Sequence, residues 1–254
     1  AAYTFASNSP ANAFYDVRQT NFYDARETAY MRPVDLYLDR LQTCFSNLYN
    51  GTYSNEQGAG IIYITRDDPD GVSNGVLPCV RLRNGYHIAP TSGLSIVSDI
   101  PVYIEGHFNY TNTTKPALVA GDCVTMLSTN WQDARSMQTK AQRVPGSTSY
   151  NTVIMTGNSE TTPGHYNGGL ENVLRFLEVW SDSAARTVKF RGSIIDLWFA
   201  ESVDGAWSGD YYDPPRRDWG YDELYRSLAP PGMTRVYGME ELLWERTTWA
   251  REGW

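Results

Sequence analysis

Two stretches of this chain share a rhythm that narrows the choice of fold more than any other feature. GLSIVSDIPVYIEGHFN reads as two short strands broken at Asp99-Ile100-Pro101, and ALVAGDCVTMLS as two more broken at Gly121-Asp122. Apolar residues alternate within each piece: Leu94 and Ile96 share one face, Val102 and Ile104 another, which is the period of a strand. GIIYITR, CVRLRNG and NTVIMTGN are further strands, and TVKFRGSIIDLWFAES repeats the form around Gly192. The bends use Gly, Asp, Asn and Pro, which supply the backbone angles that tight turns need. Short strand, bend, short strand, then a longer excursion is the pattern of a chain wound into stacked coils. The expected fold is therefore mainly β, a parallel β-helix-like solenoid with a few covering helices. A β-sandwich also joins many short strands by turns and stands as the alternative.

Two segments break the period of two. In PVDLYLDRLQTCFSNLYNG, Val34, Leu38, Leu41, Phe45 and Leu48 recur at helical spacing before an Asn-Gly stop, which predicts a helix near 34–49. In GGLENVLRFLEVWSDS, Leu170, Val173, Leu174 and Leu177 form a stripe widened by Phe176 and Trp180, which predicts a second helix near 169–181, lying over an open end or edge of the sheets. The resulting organisation is an extended N-terminal arm over 1–32, the β domain over 33–207, and a loop-rich C-terminal clamp and tail over 208–254, with MEELLWER as a short terminal helix.

A chain of 254 residues with 18 Tyr and 8 Trp has ample apolar area for a core;. The formal charge of −8 and the absence of a Lys/Arg cluster argue against a nucleic-acid partner;. Lys is scarce while Asn, Thr, Ser, Gly and Tyr abound, a composition common in exported surface proteins. No apolar run of ~20 residues is present, so no transmembrane segment is expected in this chain, and no signal peptide is recognised. The opening AAYTFASNSPANAF, without Met, fits a processed product. Cys44, Cys79 and Cys123 lie far apart without CxxC spacing. One disulfide with a free thiol, or three buried thiols, would fit.

Residues with chemical potential are scattered. His87 and His107 would come close if they sat on neighbouring coils, but a zinc site would need a third ligand such as Asp122 or Glu105. The turn Arg66-Asp-Asp-Pro-Asp-Gly71 clusters carboxylates without an EF-hand pattern and reads as a solvated acidic turn. Asp122, Asp196 and Glu201 are the best carboxylates for glycoside chemistry. Asp196 stands among large apolar residues in SIIDLWFAE, and an ion pair with Arg191 or Arg175 is its expected state. Asn50, Asn109 and Asn112 head glycosylation sequons. No nucleophile elbow, Walker loop or dinucleotide turn occurs. The expectation is no catalytic residue, no metal and no cofactor.

The order of motifs resembles the C-terminal region of large bacterial pilin-like surface proteins that carry a PilX-type prepilin N-terminus. The matching pieces are NFYDARE, PVDLYLDRL, GIIYITR, VRLRNG, GLSIVSDIPVYIEGHFN, ALVAGDCVTMLS, NTVIMTGN, GGLENVLRFLEVW, GSIIDLWFAES and YYDPPRRDWGYDELY, spanning roughly 21–225. The hydrophobic prepilin helix of such proteins does not occur within these residues. The resemblance implies an envelope or extracellular location and a role in assembly or adhesion. It transfers no catalytic residue.

A structural or adhesive subunit of a surface filament, acting by binding, is the function expected. A carbohydrate-active β-helix enzyme, lyase or glycosidase, or a carbohydrate-binding module, is the alternative. Self-association or contact with other envelope subunits would use the terminal aromatics Tyr3, Phe5, Phe14, Tyr15, Trp244, Trp249 and Trp254. The segment YYDPPRRDWGYDELY is expected to clamp the domain. Pro214 and Pro215 hold it extended and bar it from a central strand, Tyr211, Tyr212 and Trp219 lay their rings on the surface, and Arg216 or Arg217 stacks on a ring or pairs with a neighbouring acid.

Overall fold

A computed structural model describes residues 13–17, 21–41, 60–66, 75–88, 90, 92–180, 186–203, 205, 207 and 210–233. Thirteen strands in these residues form two sheets. The first sheet orders β1 (Tyr15–Val17), β3 (Ala29–Tyr37), β5 (Val76–Arg83), β7 (Val102–Glu105), β9 (Val124–Leu127) and β11 (Leu174–Phe176), with β2 (Phe22–Asp24) also on β3. The second orders β13 (Arg216–Gly220), β12 (Thr187–Phe199), β10 (Thr148–Asn158), β8 (Ala117–Gly121), β6 (Leu94–Ser98) and β4 (Ile61–Ile64). From β3 to β12 the chain alternates between the sheets, one strand in each. Every ladder is parallel except those of β1 and β2, whereas the hairpin-linked sheets of a sandwich pair antiparallel.

The bends explain the alternation. Asp99-Ile100-Pro101 carries the chain from β6 in one sheet to β7 in the other. The Ser98 hydroxyl donates to the Ile64 carbonyl (2.7 Å) and accepts the Ile100 N–H (3.3 Å), tying the corner to the preceding strand. Leu94, Ile96, Val102 and Ile104 consequently point into one core, although the bend separates their strands. This core lies between the sheets. In the first, Val34, Val80, Val102, Val124 and Leu174 stand in register, and so do Leu36, Leu82, Ile104, Met126 and Phe176. In the second, Ile62, Ile96, Val119, Ile154 and Ile194 do the same. A smaller core of Phe22, Met31, Cys79, Tyr103, Cys123, Leu127, Trp131, Leu177 and Val203 covers the outer face of the first sheet.

Both expected helices change where they are described. Residues 34–37 finish β3, 38–41 are helical, and 42–49 lie outside the described residues. At 169–181 the helix shrinks to Leu170–Val173, and Leu174–Phe176 is β11. The reason is burial on both faces. In β3, Val34 and Leu36 enter the main core while Met31 enters the outer one. In β11, Leu174 and Phe176 face the main core while Arg175 is buried on the other side. A strand covered on both faces loses its alternation and imitates a helical stripe. The break expected at Gly192 is also absent: β12 runs through it as one strand.

The described parts of the arm and the tail add strands to the sheets. β1 and β2 pair antiparallel with β3 at one edge of the first sheet, and β13 joins the second sheet as its edge strand. Among the described residues no helix is long and apolar enough to cross a membrane. Cys79 and Cys123 are free, buried thiols. Cys44 and MEELLWER lie outside the described residues.

Candidate functional site

Charge is concentrated on the outer face of the first sheet. Asp35, Arg81, Tyr103, Thr125 and Arg175 occupy one register row across five strands, and all are buried. Their backbone places them opposite the aliphatic rows, because side chains alternate along each strand. Arg81 forks onto Asp35, with Nε donating to Oδ1 (2.7 Å) and Nη2 to Oδ2 (3.1 Å), and Nη1 reaches Asp133 (2.6 Å). Arg83 bridges Asp35 (3.3 Å) and Glu105 (2.6 Å). Burial disfavours charge on Arg81, but its bonds to Asp35 and Asp133 reverse that and raise its pKa;. Further along the row, the Tyr103 hydroxyl donates to Asp24 (2.7 Å), Arg26 to Asn172, and Arg175 to Glu27. Phe22 lies 5.2 Å below the Arg81 guanidinium. These groups mostly satisfy one another, so the row ties β2, the turn at 133–136 and the loop at 205 to the sheet.

The carboxylates proposed for glycoside chemistry take other roles. Asp122 accepts the backbone N–H groups of Glu201 (2.6 Å) and Ser202 (2.9 Å) and so holds the turn after β12. Burial still raises its pKa. Asp196 is exposed, and the ion pair expected for it is corrected: Arg191 pairs with Asp218 (2.8 Å) and Arg175 with Glu27. One carboxyl that sequence reasoning missed is Glu178. It is buried, accepts the Ser128 N–H and hydroxyl (each 2.7 Å), and burial lifts its pKa to about 7. It lines a shallow depression with Trp131, Arg135 and Arg143 whose cavity volume is about 10 Å³, far below the roughly 300–1,000 Å³ that encloses a small ligand. Only the Ser128 contact, set by folding, could have revealed it.

Of the histidines, His87 is exposed, while His107 accepts the Ser149 N–H (3.1 Å) and stacks on Tyr110. Glu105 is held by Arg83, and among the described residues no three potential ligands cluster for a metal. The acidic turn at 67–70 lies outside them. The Asn109 amide is buried and donates to the Lys115 (2.7 Å) and Asn151 (3.0 Å) carbonyls, so this sequon is closed to glycosylation.

Of the terminal aromatics, Tyr3, Phe5, Trp244, Trp249 and Trp254 lie outside the described residues. Phe14 and Tyr15 pack against the main core of their own chain, with rings 5.3 Å apart. Tyr212 and Trp219 pack on the main core, Tyr212 beside Phe176 and Trp219 beside Phe190 (6.0 Å each). Half-buried Tyr211 gives its carbonyl to Arg143 (2.6 Å). The guanidinium of Arg217 sits 5.0 Å over the Trp219 ring. Pro214 is exposed and Pro215 buried just ahead of β13. Beyond Gly220 the chain crosses the outer face of the second sheet, with the Tyr225 hydroxyl on Ala117 (3.4 Å) and the Pro231 carbonyl on the Ser95 hydroxyl (2.6 Å).

The feature best suited to a partner is the end of the second sheet. β13 pairs only with Thr187–Arg191 of β12. From Gly192 to Phe199, β12 has β10 on one side and no strand on the other among the described residues. A register shift at Thr156/Gly157 displaces Leu197 from the ladder. Leu197 and Phe199 are 63% and 62% exposed, and Trp198 is 37% exposed. A strand edge with unpaired N–H and C=O groups and exposed apolar side chains is a template for another strand.

Comparison with protein families, with curated proteins and with solved structures found no match. The surface is therefore read from its own geometry.

Proposed function

We propose that this chain is a structural or adhesive subunit of an extracellular or envelope filament, built as a β-solenoid and acting by binding rather than catalysis. The observation that carries the reading is the open apolar edge of β12. Sheet proteins blunt such edges with charge, proline or cover, and here Leu197, Trp198 and Phe199 face solvent instead. The solenoid form is supported by the alternation of strands between two parallel sheets and by the stacked aliphatic rows. The pilin-like motif order and the Lys-poor composition support the surface location. Imaging of the native cell surface with an antibody to the chain, with sedimentation of the purified protein, tests the reading. Labelled filaments and concentration-dependent association are expected; a cytosolic, monomeric protein overturns it.

A second reading is a carbohydrate-binding surface. It is favoured by exposed Trp198 and Phe199 occurring in the same segment as the exposed carboxylates Asp196 and Glu201, an apolar ring surface beside hydrogen-bond acceptors. Retention on a polysaccharide array that is lost in Trp198→Ala and Phe199→Ala distinguishes it from the filament subunit.

A further inference from the structure

We propose that the occupant of the open β12 edge is β4 of a second copy, so that copies stack head to tail and continue the second sheet from one subunit into the next. The inference rests on the subunit reading above and names its partner.

The two ends of the sheet fit each other. β4 stands at the end opposite β13 and β12 and, among the described residues, pairs only with β6. All strands from β4 to β13 run parallel. The translation that carries one strand to the next within the sheet therefore brings β4 of another copy onto β12 in the same direction.

Side-chain phase is preserved by that step. The inward row Ile62, Ile96, Val119, Ile154 and Ile194 is fully buried at its three middle members and only partly buried at both ends. Placing Ile62 of the next copy on Ile194 closes both ends at once. The outward row Tyr63, Val97, Ala120, Met155 and Ile195 is apolar throughout and continues in the same register. A slip of one residue would set inward against outward faces, so the register is specified. Tyr63 is 61% exposed and Ile61 46% exposed; in this register they meet Ile195 and Ser193, and exposed Leu197 lies just past the end of β4.

Because the two surfaces differ, the contact is heterologous and leaves a free β4 edge and a free β12 edge at the ends of every stack, the rule that generates filaments.

The test uses two full-length variants at exposed positions. Leu197→Lys blocks the β12 edge and Tyr63→Lys blocks the β4 edge. Circular dichroism and thermal melts check that both stay folded. In sedimentation velocity the native chain is expected to form a concentration-dependent series of oligomers, and each variant alone to be monomeric. An equimolar mixture is expected to stop at a dimer, because one competent edge of each kind remains. A bis-maleimide cross-linker should join Ile195→Cys chains to Tyr63→Cys chains, both in a Cys44→Ser background, and neither variant to itself. If the variants associate as the native chain does, assembly uses another surface: the inference is overturned and the subunit reading stands. A native chain that remains monomeric at high concentration overturns both.

Discussion

Arg81 shows how a single side chain can organise this protein. It is buried, and its guanidinium satisfies Asp35 on the neighbouring strand while reaching Asp133. Removing it leaves the fully buried Asp35 carboxylate short of its main partner. Arg81→Ala is expected to lower stability by about 3–5 kcal/mol, and Arg81→Lys to recover only part, since lysine cannot fork. Urea denaturation measures both. Glu178 sets a pH dependence of known sign. Its pKa rises from 4.5 to about 7 in the folded protein, so the native state holds a proton that the unfolded chain releases. Its contribution is full below pH ~4.5 and is lost as pH climbs to ~7, a fall of about 3 kcal/mol. Glu178→Gln, a mimic of the protonated acid, should flatten that part of the stability profile. A stability that instead rises over this range in the native chain and is unchanged by the substitution contradicts the assignment. Trp219 is half-buried against Phe190. Trp219→Ala should cost about 2 kcal/mol, less than the 3–5 of a fully buried ring, as read from the melt.

At the level of elements, β12 is the critical strand. It pairs with β10 from Val188 to Phe199, apart from bulged Leu197, and with β13 over its first five residues. Gly192 sits in its middle with φ +149°, and a Cβ there would run into the Thr152 carbonyl oxygen of β10. Gly192→Ala is therefore expected to destabilise by more than the ~1 kcal/mol of an ordinary glycine replacement and to loosen β10–β12 pairing. Hydrogen exchange of the Thr152 and Val153 amides checks this. A glycine that reads as a strand break in the sequence is here the residue that lets two backbones approach. The same error of scale affected the helices. PVDLYL and VLRFL are dense in apolar residues, which fits a helical stripe equally well. Arg175 and Asp35 are the polar exceptions, and each is buried against a partner from a distant segment, Glu27 or Arg81. Those partners lie 148 and 46 residues away, so no local window reveals them.

For the molecule as a whole, the edges decide behaviour. The first sheet is bordered at one side by antiparallel β1 and β2, and the second is crossed on its outer face by the chain beyond Gly220. Outer cores on both sheets account for how parallel strands can be buried on two faces;. Among the described residues the second sheet keeps two open edges, the second half of β12 and the outer side of β4, and the assembly experiments above address them at this scale.

The sequence by itself determined that the chain is mainly β, where β4 to β9 lie, and that the paired prolines bar 211–225 from a central strand. Alternation, Gly-Asp bends and paired prolines are local signals, legible in a few residues. The tertiary structure alone decided which apolar runs were strands, which carboxylates were satisfied, and which edge was left open. Each of those depends on what covers a residue from the far side, and that cover comes from chain dozens to more than a hundred residues distant.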